Sequence, residues 1–156
     1  MRMYFKQRFF SWFDSYDIYG ENDEVIYTVE GKLSWGHYLR VYDAGGNMAA
    51  ELLERVWTLL PKFDINIGGR YVGCIKKEFT FFKPSFTFDY NGWTMDGNWL
   101  EWDYSLRDGT GMVIADISKE PFHLTDQYVI NVHDPANALN VLMAVLAIDV
   151  QKCSRS

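Results

Sequence analysis

The chain has 156 residues, of which 48% are hydrophobic and 17% aromatic, enough for one domain with a substantial core and far from the composition of a disordered segment. Its formal charge of −6 excludes nonspecific attraction to DNA, RNA or anionic lipid as a property of the whole surface, because each needs a basic footprint. A local basic patch is compatible with that charge.

The first residues, Met1-Arg2-Met3-Tyr4-Phe5-Lys6-Gln7-Arg8, carry charges where a secretory signal needs an unbroken apolar run, so no leader is expected. From Arg8 onward one pattern recurs: a basic residue, an aromatic or Leu, a small hydroxyl, a short gap, then alternating aromatic and aliphatic residues. Its clearest instances are Arg8-Phe9-Phe10-Ser11-Trp12 before Tyr16-Asp17-Ile18-Tyr19, and Lys32-Leu33-Ser34-Trp35 before Tyr38-Leu39-Arg40-Val41-Tyr42. Two more are Arg55-Val56-Trp57-Thr58 before Phe63-Asp64-Ile65-Asn66-Ile67, and Lys77-Glu78-Phe79-Thr80 before Phe86-Thr87-Phe88. Weaker versions begin at Trp99 and Lys119. A period of roughly 18 to 25 residues suits one two-stranded unit per repeat. Turn signals at Gly20 to Asp23, Asp43 to Asn47, Gly68-Gly69, Tyr90 to Gly92 and Asp108 to Gly111 agree, since Gly, Asn and Asp tolerate positive φ. About twelve antiparallel strands are predicted over residues 3–133. Met48 to Leu60 is rich in helix formers, but its place in the repeat predicts strand.

After the strands, Asp134 and Pro135 signal a helix start, and the helix is predicted over about 135–151. Between Ala138 and Val150 only Asn140 and Asp149 are polar, so this helix must be enclosed on every side. It falls short of the ~20 apolar residues of a membrane span. A closed sheet around it satisfies both the apolar strand faces and the helix while removing exposed edges. The predicted fold is mainly β, a closed barrel of about twelve antiparallel strands enclosing a hydrophobic C-terminal helix, in a single domain over 1–156. Asn137, Asn140 and Asp149 are expected near the mouths or bonded to strand backbone.

Lys6-Gln7-Arg8-Phe9-Phe10-Ser11-Trp12, Leu59-Leu60-Pro61-Lys62-Phe63-Asp64-Ile65, Lys76 to Pro84 and Val145-Leu146-Ala147-Ile148-Asp149 together resemble bacterial members of the LURP-one-related family. The resemblance runs from Met3 to Val150. It implies the Tubby C-terminal-like fold, a twelve-stranded barrel threaded by a hydrophobic helix, shared with phospholipid scramblases. It implies no established biochemical activity, and lipid binding only by analogy of fold. No residues match the tubby lipid site, and Asp14-Ser15-Tyr16-Asp17 is not a regular calcium loop.

Two regions are candidates for chemistry. Arg70, Lys76, Lys77 and Lys83 stand among Phe79, Phe81, Phe82 and Phe86, a basic and aromatic mixture that an anionic ligand or lipid headgroup favours. The competing expectation is that strand alternation sends the phenylalanines inward and the lysines to water. The second region, Trp93 to Tyr104, offers Trp99, Glu101, Trp102 and Asp103 for an undetected enzyme or a small-molecule or carbohydrate binder. Alternation there instead places Trp93, Met95, Trp99 and Trp102 in the core.

His37, His123 and His133 lack metal-ligand spacing, Cys74 and Cys153 lack a Cys-x-x-Cys context, and the Gly-rich turns lack a phosphate-cradling Gly-Lys-Ser/Thr. No metal or cofactor is expected, and the two thiols are expected to be reduced. The resulting expectation is a monomeric, cytoplasmic, non-enzymatic binding or scaffold domain. Its partner would be membrane phospholipid or a protein, and not nucleic acid.

Overall fold

The computed structural model describes residues 1–6, 15–78, 85–120 and 127–153. Within these the chain forms β1 (Arg2–Lys6), β2 (Ser15–Tyr19), β3 (Val25–Lys32), β4 (Tyr38–Asp43), β5 (Met48–Glu54) and β6 (Lys62–Ile67). They continue with β7 (Arg70–Glu78), β8 (Ser85–Phe88), β9 (Thr94–Asn98), β10 (Asp103–Arg107), β11 (Val113–Glu120), β12 (Gln127–Val132) and α1 (Ala138–Cys153). Each strand pairs antiparallel with its sequence neighbours, and β1 pairs with β12 to close the barrel. This is the predicted architecture.

Alternation sets the register. On β4, Leu39 and Val41 are buried and lie opposite Leu52 and Ala50 of β5, which are buried too. Phe63 and Ile65 on β6, and Tyr128, Ile130 and Val132 on β12, continue the inner surface. A slip of one residue would turn any of these sets to solvent, so the core enforces the pairing. β5 is a strand despite its helix formers, because propensities worth a few tenths of a kcal/mol per residue yield to pairing with β4 and β6. The strand expected over Met48 to Leu60 stops at Glu54, however, and Arg55 to Leu60 leave the sheet to connect β5 with β6.

At the helix start the Asp134 carboxylate accepts a hydrogen bond from the Ala136 amide (3.0 Å), and Pro135 opens a single 3-10 turn that leads into α1. The sixteen residues of α1 span ~24 Å at 1.5 Å per residue. All ten residues from 141 to 150 are buried, and each fully buried Leu, Val or Ile contributes roughly 1.5–3 kcal/mol.

Asp149 lies in the core, and its Oδ1 has no hydrogen-bond partner among the described residues, nor has the hydroxyl of Tyr104. Burial pushes the Asp149 carboxyl up to about 7, with Lys152 opposing the shift, so the core holds this side chain mainly in its neutral form below that pH. Burial and then Asp149 push the Tyr104 hydroxyl well above its ordinary value.

The barrel has two distinct ends. At one, the aromatic end, lie residues 33–37 between β3 and β4, residues 55–61 between β5 and β6, and the 3-10 turn Trp99–Glu101 between β9 and β10. At the other, the acidic end, lie the Gly-, Asn- and Asp-rich turns and the start of α1. Register shifts at Ile18/Tyr19, Val41/Tyr42, Ile65/Asn66 and Leu106/Arg107 all sit toward the acidic end of strands running that way. Such bulges add local twist, which helps the sheet close. The recurring basic, apolar, hydroxyl pattern falls, at 32–35 and 55–58, on connections of the aromatic end.

Candidate functional site

The β3–β4 and β5–β6 connections carry the most exposed large apolar side chains among the described residues. Leu33 is 86% exposed, Trp35 94%, Trp57 94% and Leu59 100%. Scattered exposed apolar residues are ordinary, but four large ones on adjacent loops at one end form a patch. The loops are brought together by β4 and β5, which pair from Tyr38↔Leu53 onward.

Several bonds hold the pair of loops. The Glu54 amide donates to the His37 carbonyl (2.8 Å), extending the β4–β5 ladder by one residue. In return the Glu54 carboxylate accepts from the His37 amide (3.0 Å) and from His37 Nδ1. The His37 ring bond holds the Glu54 carboxyl below its ordinary range, against the effect of burial, so Glu54 is ionised at neutral pH. An acceptor-only carboxylate on Nδ1 sets the ring tautomer. A Cβ on Gly36 would come within 2.7 Å of Val56 Cγ1 and 3.1 Å of the Glu54 carbonyl, so only glycine permits this approach of the loops. The Arg55 amide donates to the Lys62 carbonyl and the Lys77 amide to that of Pro61 (both 2.9 Å), anchoring the second loop.

Between the loops lies a cleft of about 330 Å³. Its lining is mixed, with Trp35, Tyr38, Leu39 and Val56 beside the polar Lys32, Ser34, His37 and Glu54.

The structure divides the basic cluster anticipated from sequence. Arg70 begins β7 at the acidic end, whereas Lys76 lies six residues along the strand, roughly 20 Å away at ~3.3 Å per residue. Lys76 is opposite Lys62 on the outer wall, 3.9 Å from Asp89. Lys77 is opposite the buried Phe86, hence on the inner face, with its ammonium 5.3 Å from the centre of the Trp99 ring. Lys83, with Phe79, Phe81 and Phe82, lies outside the described residues. Sequence reading missed Lys62, which joins Lys76 only through the β6–β7 register. It also missed Arg55, which pairs with Asp64 (2.8 Å) at the foot of the Trp57 loop.

In the second region Trp99 and Trp102 are each 1% exposed. Trp99 meets Phe86 edge-on at 5.7 Å, and Trp102 stacks on Tyr128 at 4.2 Å with the Lys152 ammonium 5.0 Å from its ring. Both indoles are filled by protein neighbours, so neither ring face is offered to a sugar. Glu101 and Asp103 are exposed on either side of Trp102.

The acidic end is built differently. Asp43 accepts from the amides of Gly45 and Asn47 (2.9 Å each), and Asp108 from those of Thr110 (2.9 Å) and Met112 (3.1 Å). Bonds from Thr110, its hydroxyl first, hold the Asp108 carboxyl below its ordinary range. Glu21, Asp23, Glu24 and Asp134 add further negative charge at this end, which also holds Arg70 and Arg107. Among the described residues no group of three His, Cys, Asp or Glu side chains is arranged to hold a metal ion. No described helix is long and apolar enough to cross a membrane.

Comparison with known proteins agrees with the architecture. The chain is 27% identical over 151 residues to the uncharacterized protein YxjI of Bacillus subtilis (strain 168), covering 96% of this chain and 93% of that protein. Its fold resembles that of an Arabidopsis thaliana protein solved by X-ray crystallography, with a TM-score of 0.68 at 15% identity over 96% of this chain and 90% of the other. The family model described as LURP-one-related matches residues 1–149, so a barrel wrapped on a buried terminal helix and nearly the whole of its sequence place this chain in the LURP-one-related family.

Proposed function

We infer that this protein is a non-enzymatic binding module that docks peripherally on an anionic phospholipid membrane through its aromatic end, from the cytoplasmic side. The observation that carries the reading is the group Leu33, Trp35, Trp57 and Leu59, exposed together on two adjacent loops. Tryptophan favours the membrane interface, and patches of this kind mark interaction surfaces. At about 25 cal/mol per Å², taking 150–250 Å² of one indole out of water is worth roughly 4–6 kcal/mol gross.

Charge supports the same orientation. Lys32, Arg55, Lys62 and Lys76 surround the loops, and each cation near an anionic surface contributes about 1 kcal/mol at most. Lys32, Arg55 and Lys76 already face Glu30, Asp64 and Asp89, so the apolar contribution leads. The turn carboxylates of the opposite end would point away from the bilayer, while Glu101 and Asp103, exposed at the aromatic end, would oppose an anionic target there. Kinship with tubby domains and scramblases belongs to this proposal, and the barrel with its enclosed helix supports it.

Co-sedimentation with phosphatidylglycerol vesicles tests the reading. Binding at low salt is expected, with a loss of more than ~10-fold for Trp35→Ser/Trp57→Ser, or about 1.4 kcal/mol. Absence of binding by the native protein at low salt, where attraction is strongest, would remove the membrane reading and leave the surface to a protein partner.

A further inference from the structure

Asp149 stands apart within the core. It lies one turn before the C-terminal end of α1, and α1, which starts at the acidic end, carries that turn to the aromatic end. There the Lys152 ammonium is 5.0 Å from the ring of Trp102. Asp149 is 2% exposed, and neither its Oδ1 nor the hydroxyl of Tyr104 has a hydrogen-bond partner among the described residues. Tyr104 on β10 and Lys152 on α1 itself are the titratable groups that act on it. Two further phenols, Tyr16 on β2 and Tyr128 on β12, hold their rings 5.5 and 5.9 Å from Phe5 in the aromatic cluster around Trp102. Glu101 and Asp103, on either side of Trp102, are exposed.

A neutral carboxyl suits this position and a carboxylate does not. An ion buried without full hydrogen bonding is costly, and the unpaired carbonyls of a helix C-terminus repel negative charge. Lys152, three residues on and so on the same helix face, is the nearest cation, and it lies against Trp102. Opening the turn to water relieves the charge at small cost to the core, because beyond Asp149 only Val150 and Gln151 are buried among the described side chains.

We propose that the last turn of α1 is a proton-controlled latch at the aromatic end, shut while Asp149 is protonated and loosened when its carboxyl ionises. In the shut turn burial holds the carboxyl at about 7, and in the open turn it returns to its ordinary 3.8. The ratio of open to shut turns therefore rises about tenfold per pH unit between roughly 4 and 7, then levels off. Lys152 leaves with the turn, which takes its ammonium from the Trp102 ring. The latch is built from core groups alone and is independent of membrane docking.

Hydrogen exchange read by NMR tests it on the full chain. The amides of Val150 to Cys153 bond four residues back along the helix, so their protection reports whether the turn is shut. It is measured at pH ~5.5 and ~7, corrected for the intrinsic exchange rate, in urea below the unfolding transition. Protection of these four amides should fall by about 10-fold or more across that interval. It should also be insensitive to urea, because opening one turn exposes little surface, whereas the Leu142 and Met143 amides should exchange more slowly and in a urea-dependent way. Asp149→Asn, which cannot ionise, should hold the end turn equally protected at both pH values. End-turn amides with the urea dependence of Leu142 would show that the turn opens only when the whole barrel unfolds, and overturn the latch. So would protection in the native protein that does not change with pH, or an undiminished fall in Asp149→Asn.

Discussion

The two ends of the barrel are made by the same repeating hairpin and share one core, yet they solve the problem of turning the chain in opposite ways. At the acidic end, turns are closed by carboxylates bonded to backbone amides, as Asp43 and Asp108 show, and the apolar side chains left outside, such as Met112 and Tyr71, are less exposed than those of the other end. At the aromatic end, residues 33–37 and 55–61 are held by backbone bonds and by the Glu54–His37 contact, which leaves Leu33, Trp35, Trp57 and Leu59 outside. The asymmetry separates stability, which the core supplies to both ends, from the proposed binding, which would belong to one.

The largest effect should come from the shared core. Leu142→Ala, at the fully buried centre of α1, should cost about 2–5 kcal/mol in denaturant unfolding and weaken both ends alike. A variant of normal stability would mean that the helix is not the common support. The buried Asp149 should contribute on a similar scale and with a defined sign. Its folded carboxyl is raised from 3.8 to about 7, so the folded state holds a proton that the unfolded state has lost, and stability should fall as pH rises between about 4 and 7, then level off. Asp149→Asn should flatten that profile and stabilise the protein at pH 8 by up to ~4 kcal/mol; a native profile that rises over this range would contradict the placement of the side chain.

The ends themselves should separate next. Trp35→Ser and Trp57→Ser should leave thermal stability within about 0.5 kcal/mol while each weakens vesicle binding several-fold or more. Met112→Ser, which removes an apolar side chain 61% exposed at the acidic end, should change neither. Equal loss of binding from Met112→Ser would erase the contrast between the ends. A smaller effect is expected at Lys62→Glu, which should weaken vesicle binding by no more than about 3-fold at low salt and progressively less as salt rises. An effect that is insensitive to salt would assign Lys62 a structural part.

The fold could be read from the chain because its signals are local. Alternation on Tyr38 to Tyr42, glycine at turns and the Asp134-Pro135 start each act within a few residues, and their agreement leaves few architectures. The proposed binding surface was not legible in the same way. Arg70, Lys76 and Lys77 are neighbours in sequence, but a strand separates the first by its length and turns the other two to opposite faces. Trp99 and Trp102 look like a ligand platform beside Glu101 and Asp103, and the core takes both rings. Trp35 and Trp57, twenty-two positions apart, fall three and two residues after the basic residue of their repeat units, close but not equivalent places. That correspondence was the available signal, yet it reads equally well as two core residues.

By itself the sequence determined which segments become strands, where the terminal helix starts and that this helix must be enclosed, because burial periodicity and capping are properties of adjacent residues. Only the tertiary structure decided which aromatic residues are left outside. Exposure depends on what the closed barrel has room to cover: the interior is already filled by α1 and the inward side chains, and the pairing of β4 with β5 carries Leu33, Trp35, Trp57 and Leu59 past the rim, where no described element covers them.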